Sequence, residues 1–332
     1  MENILILSVL ASFFVTLFFM PIWIKKAKEV GIVGKDLNKP GEKKDVAEAG
    51  GVGVLFGFVF GVLLYIGIKI FYFKGQGETL EIFALLFTVF AVAFIGLIDD
   101  ILGWKIGLTR KTRLLFVFFA AIPLMVINVG ESRMMGIELG IFYPLILVPL
   151  GIIATSTTFN FLAGYNGLET SQGIIILLGL SFVTFNTGNS WLSIVCLTMV
   201  AALLAFYLFN KYPAKVFPGD ILTYSVGALI GAVAIIGNIE KIAIFFFIPY
   251  IFEVILKVRG KLKKESFPKV NPDGSLEMPY EKFYGLEHIA IWLLKKVKPS
   301  KKVYEYEVVW VINVFQITII FLGLLIFGSS FL

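Results

Sequence analysis

About ten times along its length this chain runs apolar for some 17–25 residues, the length a helix needs to cross roughly 30 Å of hydrocarbon. The runs fall at about 3–24, 50–73, 80–98, 114–130, 141–162, 172–187, 191–209, 220–237, 239–256 and 308–330. Lipid offers no water to a backbone N–H or C=O, so a spanning segment is a helix or part of a closed barrel. Barrel strands are shorter and alternate apolar with polar residues; these runs do neither. The composition agrees: 58% of the 332 residues are hydrophobic and the mean hydropathy is +0.90. The expected fold is an all-α polytopic membrane protein, a single integral-membrane domain over 1–332 with about ten transmembrane helices.

Charge gives the expected orientation. Of the 29 Lys and Arg, 25 fall in the loops that follow the odd-numbered runs. Basic loops stay cytoplasmic, which places both termini outside. The first run, Asn3–Ile24, is followed by Lys25, Lys26 and Lys28, the reverse of a signal peptide's charge order, so it reads as a retained span. The pI near 9.1 then reports topology and anionic lipid, not nucleic acid. Cys196 is the single cysteine and lies inside an apolar run, which excludes an intrachain disulfide and argues against a thiolate metal site.

Two cytoplasmic loops are long. Residues 25–49 contain Gly and both charge signs and are expected to be ordered. Residues 257–307 form the only sizeable extramembrane piece. There VNPDGSLEMPYEKF carries an Asp-Gly turn between extended stretches, a hairpin signal. Leu286–Lys298 is amphipathic and basic, suited either to the membrane interface or to packing on the protein. His288, the sole histidine, lies on it and is expected at the surface, not in catalysis.

The polar residues that stand out all lie where apolar runs end or begin on this same cytoplasmic face. Asp99 and Asp100 end the third run. A helix C-terminus carries partial negative charge, so two acids there are unfavourable and need a cation or a proton. A solvated helix end is the plainer explanation. Asp220 opens the eighth run behind Phe217, Pro218 and Gly219. An acid at a helix start is ordinary capping. Here Gly219 would let a ligand approach, the first N–H groups would attract an anion, and Phe217 offers a ring. Between them NFLAGYNGLE, residues 160–169, places Asn160 and Asn166 around Gly164 and Gly167. Asn in a membrane helix is often only an interhelical hydrogen bond; two with two glycines favour a small-molecule contact. Together these groups fit an Mg²⁺ site for a diphosphate, because Mg²⁺ takes one or two protein carboxylates and completes its shell with water and substrate oxygens.

At these residues the chain resembles the polyprenyl-phosphate N-acetylhexosamine-1-phosphate transferases, nearest to the dolichyl-phosphate branch of eukaryotes and archaea. KDLNK (35–39), AEAGG (47–51), LIDD (97–100), NFLAGYNGLE (160–169), YPAKVFPGD (212–220) and GSLEMPYEKF (274–283) are similar to that branch's motifs and spread over almost the whole chain. The resemblance implies transfer of GlcNAc-1-phosphate from UDP-GlcNAc to a polyprenyl or dolichyl phosphate, with release of UMP, as a first membrane step of N-glycan-type assembly. It implies Mg²⁺, with Mn²⁺ as a substitute, held by Asn160 and Asp220. It places Glu48, Gly164, Asn166 and Phe217 around the uridine, and Asp99, Asp100 and Arg113 at the phosphates, with Lys111 an alternative to Arg113. The two aspartates would act as base, orienter or nucleophile; direct attack by the already ionised lipid phosphate is the reading favoured here. Family members are often homodimers. The chain departs from the family after the ninth run, where Lys264-Glu265-Ser266 replaces a histidine- and arginine-rich cluster. That rules out a catalytic histidine, leaves Lys264 as the remaining charge and loosens the choice of N-acetylhexosamine. A transporter or flippase is the rival of another class, but transporters hold their ionisable residues near the midplane, and here they crowd one edge.

Overall fold

The computed structural model describes residues 4–41, 45–75, 77–103, 107–127, 133–134 and 137–328. In chain order its elements are α1 (Ile6–Val30), β1 (Val33–Lys35), β2 (Asp45–Ala47), α2 (Gly51–Gly67), α3 (Thr79–Leu102), α4 (Arg110–Ala120) and α5 (Ile122–Val126). Then come β3 (Arg133–Met134), β4 (Ile137–Glu138), α6 (Val148–Phe159), α7 (Leu168–Asn186), α8 (Ser190–Asn210), α9 (Gly219–Ile236), α10 (Glu240–Phe246) and α11 (Ile248–Arg259). The chain closes with β5 (Lys269–Val270), β6 (Leu276–Glu277), α12 (Leu286–Val297) and α13 (Glu305–Phe327). Wider π-type turns extend α2 over Ile68–Tyr72 and lead into α6 over Tyr143–Leu147.

Among the described residues, seven helices are long and apolar enough to cross a membrane: α1, α2 with its π extension, α3, α7, α8, α9 and α13. The other three apolar runs are divided. Residues 114–127 fall on α4 and α5, residues 143–159 on the π turn and α6, and residues 239–256 on α10 and α11; the expected span beyond 127 lies outside the described residues. Proline sits at each division: Pro123 starts α5, Pro144 and Pro149 flank the entry to α6, and Pro249 starts α11. A proline has no N–H to give the preceding turn and clashes with it, so the helix restarts there. Helix α4 begins at Arg110, ahead of the expected run, with the Thr109 hydroxyl accepting the Thr112 N–H at 3.3 Å. That cap puts Arg113 on a helix.

Packing centres on α9. Every residue from Ile221 to Ile235 is buried, so the helix is covered on all sides, enclosed by α3, α6 and α2. Helices α7 and α8 pair, and α1 lies against α2 and α8. By contrast α1 and α13 leave large apolar side chains outward, Phe18 and Trp310 among them, as a lipid-facing helix does.

In the loop before α13, β5 and β6 pair antiparallel, Lys269 opposite Glu277, around the turn at Asp273-Gly274. Helix α12 rests on α11 and α13 through Leu286, Ala290 and Ile291 and leaves Trp292, Leu293 and Val297 exposed. His288 is not at the surface as expected. It is fully buried; its Nδ1 accepts the Tyr284 N–H at 3.1 Å, and the Tyr280 ring stands edge-on to it. The chain before α12 folds back over the helix face that the charge pattern assigns to solvent.

Candidate active site

The site is assembled where α3 ends and α9 begins. The two helices touch at Gly96, where a Cβ would lie 2.6 Å from the carbonyl carbon and oxygen of Asp220. Just beyond, Asp99 and Asp100 occupy the last turn of α3. Asp100 gives both oxygens to the start of α9: Oδ1 accepts the Asp220 N–H at 2.7 Å and Oδ2 accepts the Ile221 N–H at 3.0 Å. A cap supplied by a neighbouring helix thus satisfies two otherwise unpaired donors. It also places an acid, disfavoured at its own helix's negative end, against another helix's positive end. The expectation that these N–H groups stand open to an anion is corrected, since Asp100 has taken them. Gly219, at φ +73, makes room for that same acid, and a Cβ there would collide with Asp100 Oδ2.

Asp99 turns the other way. Its Oδ1 accepts the Leu108 N–H at 2.5 Å, and its Oδ2 pairs with Arg113 Nη1 at 3.2 Å. The same nitrogen reaches Asp220 Oδ2 at 3.2 Å and the Tyr224 hydroxyl at 3.4 Å. Arg113 therefore sits between two acids brought together from α3 and α9. Lys111, the sequence alternative, is exposed.

A cavity of about 640 Å³ opens beside this cluster. Glu48, Asp100, Asn160, Gly164, Asn166, Phe217 and Asp220 all line it, so seven of the ten residues nominated from sequence share one space. Asp99 and Arg113 join it through Asp220. Lys264 does not reach it: the side chain is exposed, with its ammonium over the Tyr280 ring at 4.7 Å. From that loop Phe267 lines the cavity, its ring against Gly164.

Backbone pairing fixes one wall. Ala47 and Val216 form a parallel bridge; the Phe217 N–H donates to the Ala47 carbonyl at 2.7 Å, and the Gly50 N–H to the Phe217 carbonyl at 2.9 Å. Glu48 is held in the same stretch by its N–H to the Ile32 carbonyl at 3.1 Å and by Trp23 Nε1 on its own carbonyl at 3.0 Å. Its carboxyl packs over Gly34, and burial raises its pKa above the ordinary carboxylate range.

Residues 160–167 form the other wall. Asn160 follows α6, and its Oδ1 accepts the Thr223 hydroxyl at 3.0 Å. Gly164, at φ +101, gives its N–H to Glu169 Oε1 at 2.8 Å and takes Asn38 Nδ2 on its carbonyl at 2.8 Å. Asn166 is buried, with its N–H on Glu305 Oε1 at 2.7 Å and its Nδ2 on Asp36 Oδ2 at 3.0 Å and Glu305 Oε2 at 3.4 Å. Lys39 pairs with both Asp36 and Glu305. Asp36, Asn38, Lys39, Glu169, Thr223, Tyr224 and Glu305 were not singled out from sequence. Glu169 and the 36–39 stretch lie inside motifs noted there; Glu305 gave no signal, because an acid in a helix's first turn is ordinary.

Asp220, Asn160 and the neighbouring Asp100 offer only oxygen donors, which suits a hard cation. Among the described residues no group of three or more His, Cys, Asp or Glu forms a metal cage. Oxygen donors of this kind would suit an ion that takes few protein ligands and draws the rest from water and substrate, as Mg²⁺ does.

Comparison with known proteins gives a consistent result. The family model described as Glycosyl transferase family 4 matches residues 82–238, which include Asp99, Asp100, Arg113, Asn160 and Asp220. A Saccharolobus solfataricus protein named "Putative UDP-N-acetylglucosamine--dolichyl-phosphate N-acetylglucosaminephosphotransferase" is 37% identical over 295 residues, covering 86% of this chain and 88% of that protein. The Dictyostelium discoideum UDP-N-acetylglucosamine--dolichyl-phosphate N-acetylglucosaminephosphotransferase is 27% identical over 297 residues, covering 75% and 72%. A phospho-N-acetylmuramoyl-pentapeptide-transferase of Streptococcus thermophilus is 29% identical over 262 residues, covering 73% and 75%.

Proposed function

The chain belongs to glycosyl transferase family 4, among the polyprenyl-phosphate N-acetylhexosamine-1-phosphate transferases, and on that premise we propose that it transfers GlcNAc-1-phosphate from UDP-GlcNAc to a dolichyl-type phosphate. The observation that carries the reading is the meeting of Asp99, Arg113 and Asp220 beside a cavity that Glu48, Asn160, Asn166 and Phe217 also line. A lipid-phosphate oxygen attacks the phosphorus that bears the sugar; the bond from that phosphorus to the bridging oxygen breaks, and UMP leaves. Arg113 faces the charge that builds on the transferred phosphoryl group, and Phe217 and Asn166 hold the uridine end. Asp220 and Asn160 would hold Mg²⁺, which neutralises diphosphate charge when bound.

Asp99 and Asp100 act as orienters in this reading. Each has both oxygens engaged, Asp100 on backbone N–H groups and Asp99 on Leu108 and Arg113. A carboxylate so committed favours direct attack by the lipid phosphate over a covalent aspartyl intermediate. A second cavity, of about 380 Å³ and walled mainly by apolar side chains of α6, α9, α10 and α11, includes Thr158, two residues before Asn160. It supports an apolar acceptor tail reaching the same end of α6. The ten-span topology, with both termini outside and the site cytoplasmic, belongs to this proposal, as does a place at the start of N-glycan-type assembly. Another UDP-N-acetylhexosamine as donor is the second reading. It is favoured by Lys264 turning to Tyr280 and leaving Phe267 at the cavity.

The test is UMP release by purified protein in detergent, with UDP-GlcNAc, dolichyl phosphate and Mg²⁺ each omitted in turn. Release that needs all three supports the proposal. Release with only a different UDP-acetamido sugar keeps the chemistry and changes the donor. No release with any donor or lipid acceptor ends it.

A further inference from the structure

Asn166 is held more tightly than a ligand contact requires. Its backbone N–H and both directions of its side-chain Nδ2 are spent on two carboxylates, Asp36 and Glu305, which reach it from the first loop and from the start of α13. Both are buried, and Lys39 lies against the two of them, offsetting their repulsion. An ionised carboxylate only accepts hydrogen bonds. Turning the amide over would set Oδ1 against Asp36 and Glu305, acceptor against acceptor, in a buried place where an unmet polar group is costly. The amide therefore has one orientation. Among the described residues no hydrogen bond reaches Asn166 Oδ1, while Asn166 lines the cavity. The adjacent Gly164 has its N–H on Glu169 and its carbonyl under Asn38, so neither competes for a ligand.

We infer that Asp36 and Glu305 are positioning residues that lock the Asn166 amide oxygen outward, so that this end of the cavity selects a base with an N–H at the position where uracil carries N3–H. The inference rests on the nucleotide-sugar reading above and adds to it which residues set the base preference. Uracil donates from N3. Cytosine in the same pose has a bare nitrogen there, lone pair to lone pair with Oδ1. A site built around one hydrogen bond rejects the ligand that lacks it, because its own buried group is left unpaired.

The experiment is equilibrium binding of UMP, CMP and N3-methyl-UMP to the purified full chain in detergent. UMP binds at least about tenfold more tightly than either of the others, the scale of one lost hydrogen bond in a partly buried site. In the double variant Asp36→Asn with Glu305→Gln no carboxylate remains on Nδ2, the amide is free to turn, and the UMP-to-CMP ratio shrinks several-fold. A merely structural role would weaken both nucleotides alike and leave the ratio unchanged. N3-methyl-UMP binding as well as UMP overturns the inference on the unmodified chain, whatever the stability of the variant. So does an unchanged ratio in the double variant with UMP binding intact. Failure to bind UMP at all removes the nucleotide reading and this inference together, whereas UMP binding without discrimination removes only the inference.

Discussion

Asp100 accepts the backbone N–H of Asp220 at 2.7 Å, so one acid of the site holds in place the helix that presents the other. The link makes Asp100 both cap and alignment device. Asp100→Ala leaves the first turn of α9 without two partners, and the loss of a cap costs about 1–2 kcal/mol. UMP release falls at least about a hundredfold, because Asp220 loses its set position and a misplaced charge is a lost electrostatic contribution to the transition state. Melting in detergent beside the UMP assay checks both. Full activity in a destabilised variant would reduce Asp100 to a cap.

Arg113 bridges Asp99 and Asp220 with one nitrogen, 3.2 Å from each. Arg113→Ala leaves the two acids facing without a counter-charge, and turnover drops by about two to three orders of magnitude. Arg113→Lys keeps the charge but not the rigid planar group that holds one nitrogen within reach of two carboxylates and the Tyr224 hydroxyl. Its rate falls between the two. A lysine variant no better than the alanine one would mean that geometry alone matters; an alanine variant as fast as the parent would remove Arg113 from the site.

Gly96 brings α3 directly against the Asp220 backbone at the start of α9. Gly96→Ala forces the helices apart where no flexible side chain can yield, since the colliding atoms are the Asp220 backbone. Overpacking of this kind costs about 1–3 kcal/mol. The same separation moves Asp99 and Asp100 from Asp220, so activity drops with stability although no polar group is changed. A fully active, fully stable Gly96→Ala protein would show that the acids tolerate a wider spacing.

His288 gives a pH signature to the elaboration between α11 and α13. Burial, and next the nearby Lys257, push its pKa down to about 4. In the unfolded chain it protonates near 6.5. Between about pH 6.5 and 4 the unfolded state thus binds a proton that the folded state refuses, and stability falls as pH falls, by up to about 1.4 kcal/mol per unit. Below about 4 the histidine adds no further slope. Glu287 beside it is shifted upward by burial, so its own effect runs the opposite way, with stability lost as pH rises above its unfolded value. The contrast between melting curves of the parent and His288→Gln isolates the histidine. Parallel curves from pH 7 to 4 would refute the assignment.

The apolar periodicity and the motif ends carried most of the site into view before any coordinates. Asp99, Asp100, Asn160 and Asp220 are legible because each ends or begins a run at the same face, and a membrane leaves few places for a polar side chain. Arg113 was legible only through resemblance. The Thr109 cap that starts its helix early is a local feature, but the two acids it meets come from different helices. The Asp36–Asn166–Glu305 arrangement could not be read, since its three parts lie in separate loops and helix ends that only folding brings together. His288 misled for a related reason: an amphipathic basic pattern tells which face is polar, not what later folds over it. Lys264 carries the right charge in the right loop, yet the rings of Tyr280 and Tyr284 hold it elsewhere.

The bridge between Ala47 and Val216 has a consequence for the cavity. Glu48 and Phe217 hang on one jamb of a doorway, stitched by main-chain bonds that neither loop can release alone. On the far side Phe267 leans on Gly164 by ring contact, and the Tyr165 hydroxyl donates to the neighbouring Ser266 carbonyl at 3.3 Å. Main-chain pairing thus couples Glu48 to Phe217, so a shift in either loop carries the other with it.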